Sequence, residues 1–144
     1  MPYPTPEEIV AFPPPKFKKS TIEHLRAWNR VRKILIKTED ADGRIWDESS
    51  VQRILLLQLA RLYGKPVRVI FKKRYAYSID KRTIMIGEKP SIISALHEFG
   101  HHLFGSSELK ACRWSVWLFK KAFPKAFTKL KFKGHLLIVD QDMI

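Results

Sequence analysis

Residues 95–112 read ALHEFGHHLFGSSELKAC. This stretch holds three of the chain's five histidines and two of its eight glutamates, in a segment whose apolar residues otherwise recur as in a buried helix. Pro90 and Gly105 mark where that helix starts and ends. Inside it, His97-Glu98-Phe99-Gly100-His101 has the form HExxH. Residues four apart on a helix lie about 40° apart around its axis, so both imidazoles project from one face and can hold one ion. Glu98 projects to the side, where its carboxylate can reach a water on that ion. Zinc lowers the pKa of such a water enough for an ordinary carboxylate to take its proton.

Scattered at random, this many histidines and glutamates would give the pattern about once in a hundred chains of this length. The competing reading, a core helix with incidental histidines, is therefore the weaker one. The helix's other face, Ile92, Ile93, Leu96, Gly100 and Leu103, is apolar. Glycine costs roughly 1 kcal/mol against alanine in a helix interior, so close packing is expected at Gly100.

A catalytic zinc normally has three protein ligands and an open position. Glu108 is the best third ligand, because the break at Gly105 lets the chain turn back and start another helix there. An acid in a first turn is also favoured by the helix dipole alone, which is the competing reading. Cys112 lies one turn further on, where it could approach the metal, but a lone helical cysteine reads rather as a small core residue. His102 points about 100° away from His101 and is either an outer partner of the site or a surface residue. His24 and His135 carry no sequence signal.

Around this centre the chain reads as mixed α+β. Six of its nine prolines fall within residues 1–15. Thr5, Pro6 and Glu8 have the form of a capped helix start, and Pro13-Pro14-Pro15 predicts a stiff extended stretch. Residues 1–19 are read as a proline-rich arm, and residues 20–144 as one domain. Ser20 with Glu23 predicts a capping box opening a helix over 21–36, with Ile22, Leu25, Trp28, Val31 and Leu35 towards the core. Residues 38–46, with Asp42-Gly43, read as a polar loop.

Asp47 is expected to cap a helix over 48–63 that Gly64 ends. Its apolar residues, Leu57 among them, cover most of the circumference, so it should be central. The period then changes from 3.6 to 2. PVRVIF, RYAYSI and TIMIG, between residues 66 and 87, predict three short strands in an antiparallel meander. After the HExxH helix comes another over 106–122, with Leu109, Ala111, Trp114, Trp117 and Leu118 inward. HLLIV, residues 135–139, reads as a last strand.

The sheet-then-HExxH order resembles that of the zincin metallopeptidases. LHEFGHHLFG followed by Glu108-x-x-Ala111-Cys112-x-x-Ser115 is similar to the ImmA/IrrE-type (DUF955) branch. Members of that branch typically carry Asn or Asp where this chain has Cys112, Ala where it has Ser115, and a longer spacer before the glutamate. Zincins with HExxH-x-x-G-x-x-[HD] share a close third ligand, so another branch is the alternative. The resemblance implies a minimal zincin-like fold, a small antiparallel sheet packed with helices, and a zinc-dependent endopeptidase. His97, His101 and Glu108 would be the Zn2+ ligands, and Glu98 the catalytic base. The strand at 83–87 would be the edge on which an extended protein or peptide substrate adds, with Tyr75 or Tyr77 steadying the oxyanion. A DNA-binding repressor is the substrate class that the resemblance suggests.

The chain carries 27 basic and 14 acidic residues, a net charge of +13. Residues 1–64 hold 11 basic and 8 acidic, whereas residues 65–144 hold 16 and 6. Such an excess favours anionic partners. Arg26, Arg30, Lys33 and Lys37 line one helix face that could contact phosphates, or could simply be solvated. The alternative function is thus a basic nucleic-acid-binding module with a structural or vestigial zinc site. A single cysteine excludes an internal disulfide and suits a reducing compartment. No apolar run approaches the length of a membrane span, and the N-terminus lacks the pattern of a secretory signal. A cytoplasmic location is expected.

Overall fold

The strand TIMI, β3 (Thr83–Ile86), lies at the middle of the sheet, between β1 (Arg68–Phe71) and β2 (Ala76–Ser78). A computed structural model describes residues 3–18, 20–36 and 47–139. β1 pairs with β3 in parallel, Val69 opposite Ile84, and β2 pairs with β3 antiparallel, Tyr77 opposite Ile84. The sheet is therefore mixed, and the antiparallel meander expected from the sequence is corrected. The physical reason lies in burial. Thr83, Ile84 and Ile86 are all buried, whereas every residue of β2 is only half-buried. A nearly continuous apolar run suits a strand covered on both faces. It follows that residues 83–87 are not a sheet edge, as had been expected. The antiparallel edge is β2.

The helices are α1 (Pro6–Ile9), α2 (Thr21–Leu35), α3 (Glu48–Tyr63), α4 (Ile92–Phe104), α5 (Glu108–Ala122) and α6 (Pro124–Phe127). A separate antiparallel hairpin, β4 (Leu130–Lys133) and β5 (Leu136–Val139), completes the described chain. None of the described helices is long and apolar enough to cross a membrane. The main core joins Leu25 and Trp28 of α2, Leu55, Leu56 and Leu59 of α3, Ile84 and Ile86 of β3, Leu96 and Phe99 of α4, and Trp114 and Leu118 of α5.

Local signals act as expected at several ends. Thr5 and Glu8 form a capping box, with Pro6 in the first turn. The Asp47 carboxylate accepts from Ser50 N at 2.7 Å, and Gly64 closes α3 with φ +64. Other expectations are corrected. Ser20 adopts a left-handed conformation (φ 77) and makes no side-chain cap, so no capping box opens α2. Val31 is 51% exposed, and Leu57 and Leu109 are each 37% exposed, because each sits on the solvent side of a helix whose opposite face fills the core.

Within the stretch expected as an arm, residues 8–13 lie against α5. Ile9 is fully buried in a second apolar cluster with Cys112, Val116 and Leu137. Arg113 donates to the carbonyls of Glu8, Ile9 and Pro13, and Trp117 Nε1 donates to Ile9 O at 3.1 Å. The loop expected over 38–46 lies outside the described residues.

Candidate metal centre

α4 and α5 form a helical hairpin that turns at Gly105. Ser91 caps α4, and Gly105 ends it with φ 77, a conformation that disfavours a side chain. Ser107 caps α5 by accepting from Lys110 N at 3.2 Å. Hence α5 starts at Glu108, two residues later than its sequence suggests. The helices touch at Gly100 and Ala111. A Cβ on Gly100 would lie 2.9 Å from Ala111 Cα and 3.1 Å from its carbonyl oxygen, so only glycine permits this approach. His97 and His101 flank Gly100, and Glu108 and Cys112 flank Ala111. Closing the helices on that contact brings the four side chains together.

His101 Nε2 lies 2.9 Å from Glu108 Oε1, and His97 Nε2 lies 3.2 Å from Glu108 Oε2. Ligands held by bonds of about 2.0–2.1 Å in a tetrahedral array stand about 3.3 Å apart, so this spacing fits donors around one ion. The side chain of Glu108 is 34% exposed, yet its Oε2 is buried and has no hydrogen-bond partner among the described residues. A buried carboxylate oxygen left this way is costly unless a cation meets it. Thus Glu108 stands at ligand spacing from each histidine, one through each carboxylate oxygen.

A carbonyl only accepts, so His101 Nδ1 donates to Gly105 O at 2.7 Å, which orients the ring and turns Nε2 towards Glu108. For His97, burial is the main force lowering its pKa to about 4. Glu108 opposes that shift, while His101 and His135 add to it. Its contact with Glu108 is accordingly read as one between a neutral imidazole and a carboxylate rather than as an ion pair. Cys112 Sγ lies 3.7 Å from Nδ1, on the other side of the His97 ring. Burial, then the charges of Glu108 and Glu98, push the Cys112 thiol up to about 12. The cysteine is 2% exposed, and its sulfur, a His97 nitrogen and a Glu108 oxygen all lie within 4.8 Å of one another, a group that could also hold an ion.

Glu98 is 8% exposed, and a carboxylate oxygen of it lies within 4.8 Å of a nitrogen of each imidazole. Burial is the main force raising its pKa, to about 7, with the charge of His101 opposing and that of Glu108 adding. A carboxyl near neutrality can both accept and return a proton.

These groups line a cleft of about 1230 Å³. Ala76 and Tyr77 of β2 line it, as do Val116 and Phe119 of α5 and Leu130, Leu137 and Ile138 of the β4–β5 hairpin. Neither tyrosine is free to steady an oxyanion, which corrects that expectation. Tyr75 donates to Gln52 Oε1 at 2.6 Å and accepts from Ser91 N at 3.1 Å. Tyr77 OH meets His102 Nδ1 at 2.8 Å. His102 Nε2 in turn donates to Lys65 O at 2.9 Å, so this histidine ties β2 to α4 and faces away from the centre. His135, silent in the sequence, lines the cleft at the tip of the hairpin and stacks on Tyr3 with ring centres 4.0 Å apart. Only tertiary contact reveals it.

The basic residues of α2 are differently placed. Arg26 donates to Lys121 O at 2.9 Å and Ala122 O at 3.1 Å, where it caps the end of α5. Arg30 and Lys33 are exposed, and Lys37 lies outside the described residues. No family model, curated protein or solved structure matches the chain.

Proposed function

We propose that this chain is a zinc-dependent endopeptidase of the minimal zincin type, resembling the ImmA/IrrE-type branch. The observation that carries the reading is the convergence of His97 Nε2, His101 Nε2 and both Glu108 oxygens within 2.9–3.2 Å contacts, with Oε2 lacking a hydrogen-bond partner. His97, His101 and Glu108 would hold the zinc, which when bound would supply Lewis acidity and make a water acidic. Glu98 takes the proton of the attacking water as its oxygen bonds to the scissile carbonyl carbon. It then returns that proton to the departing amine nitrogen as the C–N bond breaks. The outer edge of β2 gives an extended protein substrate backbone groups to pair with beside the site.

The test is zinc content together with cleavage of a mixed protein substrate. The wild type is expected to hold about one zinc per chain and to cut. Glu98→Gln should keep the zinc and lose cleavage by two to four orders of magnitude, about the size of a general acid–base contribution. Cleavage that survives in Glu98→Gln, or a wild type that takes up no zinc, overturns the proposal.

The alternative is a basic nucleic-acid-binding module with a structural or vestigial zinc. Such a zinc is normally closed by four ligands, mostly cysteines, and the chain has only Cys112. Salt-sensitive DNA binding without any proteolysis would be its mark.

A further inference from the structure

One rim of the cleft is formed where the chain crosses from β1 over the end of β3 to reach β2. Lys72 N donates to Ile86 O and Glu88 N donates to Lys73 O, both at 2.9–3.2 Å, so residues 72–74 lie beside residues 86–88. Lys73, Arg74, Glu88 and Lys89 all line the cleft here and are all exposed. None of the three cations makes an ion pair or a cation–π contact among the described residues. Glu88 is the one acid in the group, so the rim carries a net charge of +2. The segment leads directly into Tyr75 and β2, the edge on which an extended chain can pair. Any peptide running along that edge passes these cations.

We infer that the cleft selects peptides with acidic residues on the side of the bound segment that passes Lys73, Arg74 and Lys89. This rests on the peptidase reading for the cleavage step, though not for recognition itself. Charges at an exposed rim act through long-range attraction more than through fixed contacts. They speed association and suppress partners of the wrong sign, and salt weakens them. Each exposed pair contributes little, so the three cations together are worth about one order of magnitude.

The experiment uses zinc-loaded Glu98→Gln protein and labelled peptides of one apolar core sequence. Acidic or basic triplets are placed before the core in one pair and after it in the other. At low salt, one acidic peptide is expected to bind about ten-fold more tightly than its basic counterpart. The gap should shrink at 0.5 M salt, and it should close or reverse in a Lys73→Glu/Arg74→Glu background. Equal binding of acidic and basic peptides, or a preference untouched by the charge reversal, overturns the inference. Wild-type protein then tests the other step separately. Selective binding of the acidic peptide without its cleavage by the wild type removes the peptidase reading and leaves acidic-peptide recognition standing.

Discussion

Gly100 and Ala111 meet so closely that a Cβ on the first would lie 2.9 Å from the Cα of the second. That contact sets the distance between α4 and α5, and with it the reach of Glu108 to the histidines. Gly100→Ala gains roughly 1 kcal/mol of helix propensity and incurs about 1–3 kcal/mol of overpacking. Net stability of the metal-free protein should therefore fall by no more than about 2 kcal/mol. Zinc affinity should fall by a factor of ten or more, because Glu108 moves with Ala111. Ala111→Gly in the same chain removes only the Cβ contact at 3.2 Å and leaves the closer backbone Cα and carbonyl, so it should recover little of the affinity. Chelator competition measures this, and an unchanged zinc affinity in Gly100→Ala would refute it.

Arg113 is tied to three carbonyls of residues 8–13. Its planar fork can serve several acceptors at once, which a lysine ammonium on a flexible stem does less well. Arg113→Ala should cost about 2 kcal/mol, in the range of hydrogen bonds to a charged group. It should also open residues 3–18 to protease, while zinc content stays at the wild-type level. Arg113→Lys is expected to rescue only part of this. Limited proteolysis followed by mass analysis reads the outcome, and an arm equally protected in all three proteins would count against the clamp.

Much of the candidate site was legible in the sequence because its signals are local. HExxH places two imidazoles by helical period alone, Gly105 announces the turn, and Glu108 follows within reach of it. The costly Gly100 likewise pointed to a close approach. Strand order was not legible, since each strand's pattern reports burial and says nothing of which neighbour it pairs with. The nearly unbroken run of TIMI was the available hint that β3 is central. Ser20 failed as a cap because its backbone turns left-handed, which residue identity does not reveal. Tyr75, Tyr77, Arg26 and His135 owe their roles to partners distant in sequence, and no periodicity encodes those.

Cys112 has its thiol pKa pushed up to about 12, so at pH 8 the folded protein presents a thiol rather than a thiolate. Native metal-free protein should react with iodoacetamide far more slowly than the same protein in denaturant, by two orders of magnitude or more. Cys112→Ser should retain zinc, since Sγ faces His97 Nδ1 and the proposed ion lies at Nε2. Rapid alkylation that zinc blocks, together with zinc loss in Cys112→Ser, would make the cysteine a ligand instead.

The ionisation of Glu98 and His97 gives the metal-free protein a pH dependence that can be dissected by substitution. Glu98 has its pKa raised by burial from 4.5 to about 7. The folded state therefore holds a proton that the unfolded chain has released, and stability falls as pH rises from about 4.5 to 7. His97 is shifted the other way, from 6.5 down to about 4, so its contribution is lost as pH falls through that window. The two slopes oppose each other, and the wild type should show little net change between pH 5 and 6.5. Glu98→Gln removes one of them. Its melting temperature should exceed that of the wild type at pH 8 by several degrees and converge with it near pH 4.5, leaving a stability that rises with pH between 4.5 and 6.5. Calorimetry of both proteins without metal measures this. A gap between them that does not change from pH 4.5 to 8 would mean that Glu98 titrates as an ordinary exposed carboxylate, and its role as the proton carrier would lose its physical basis.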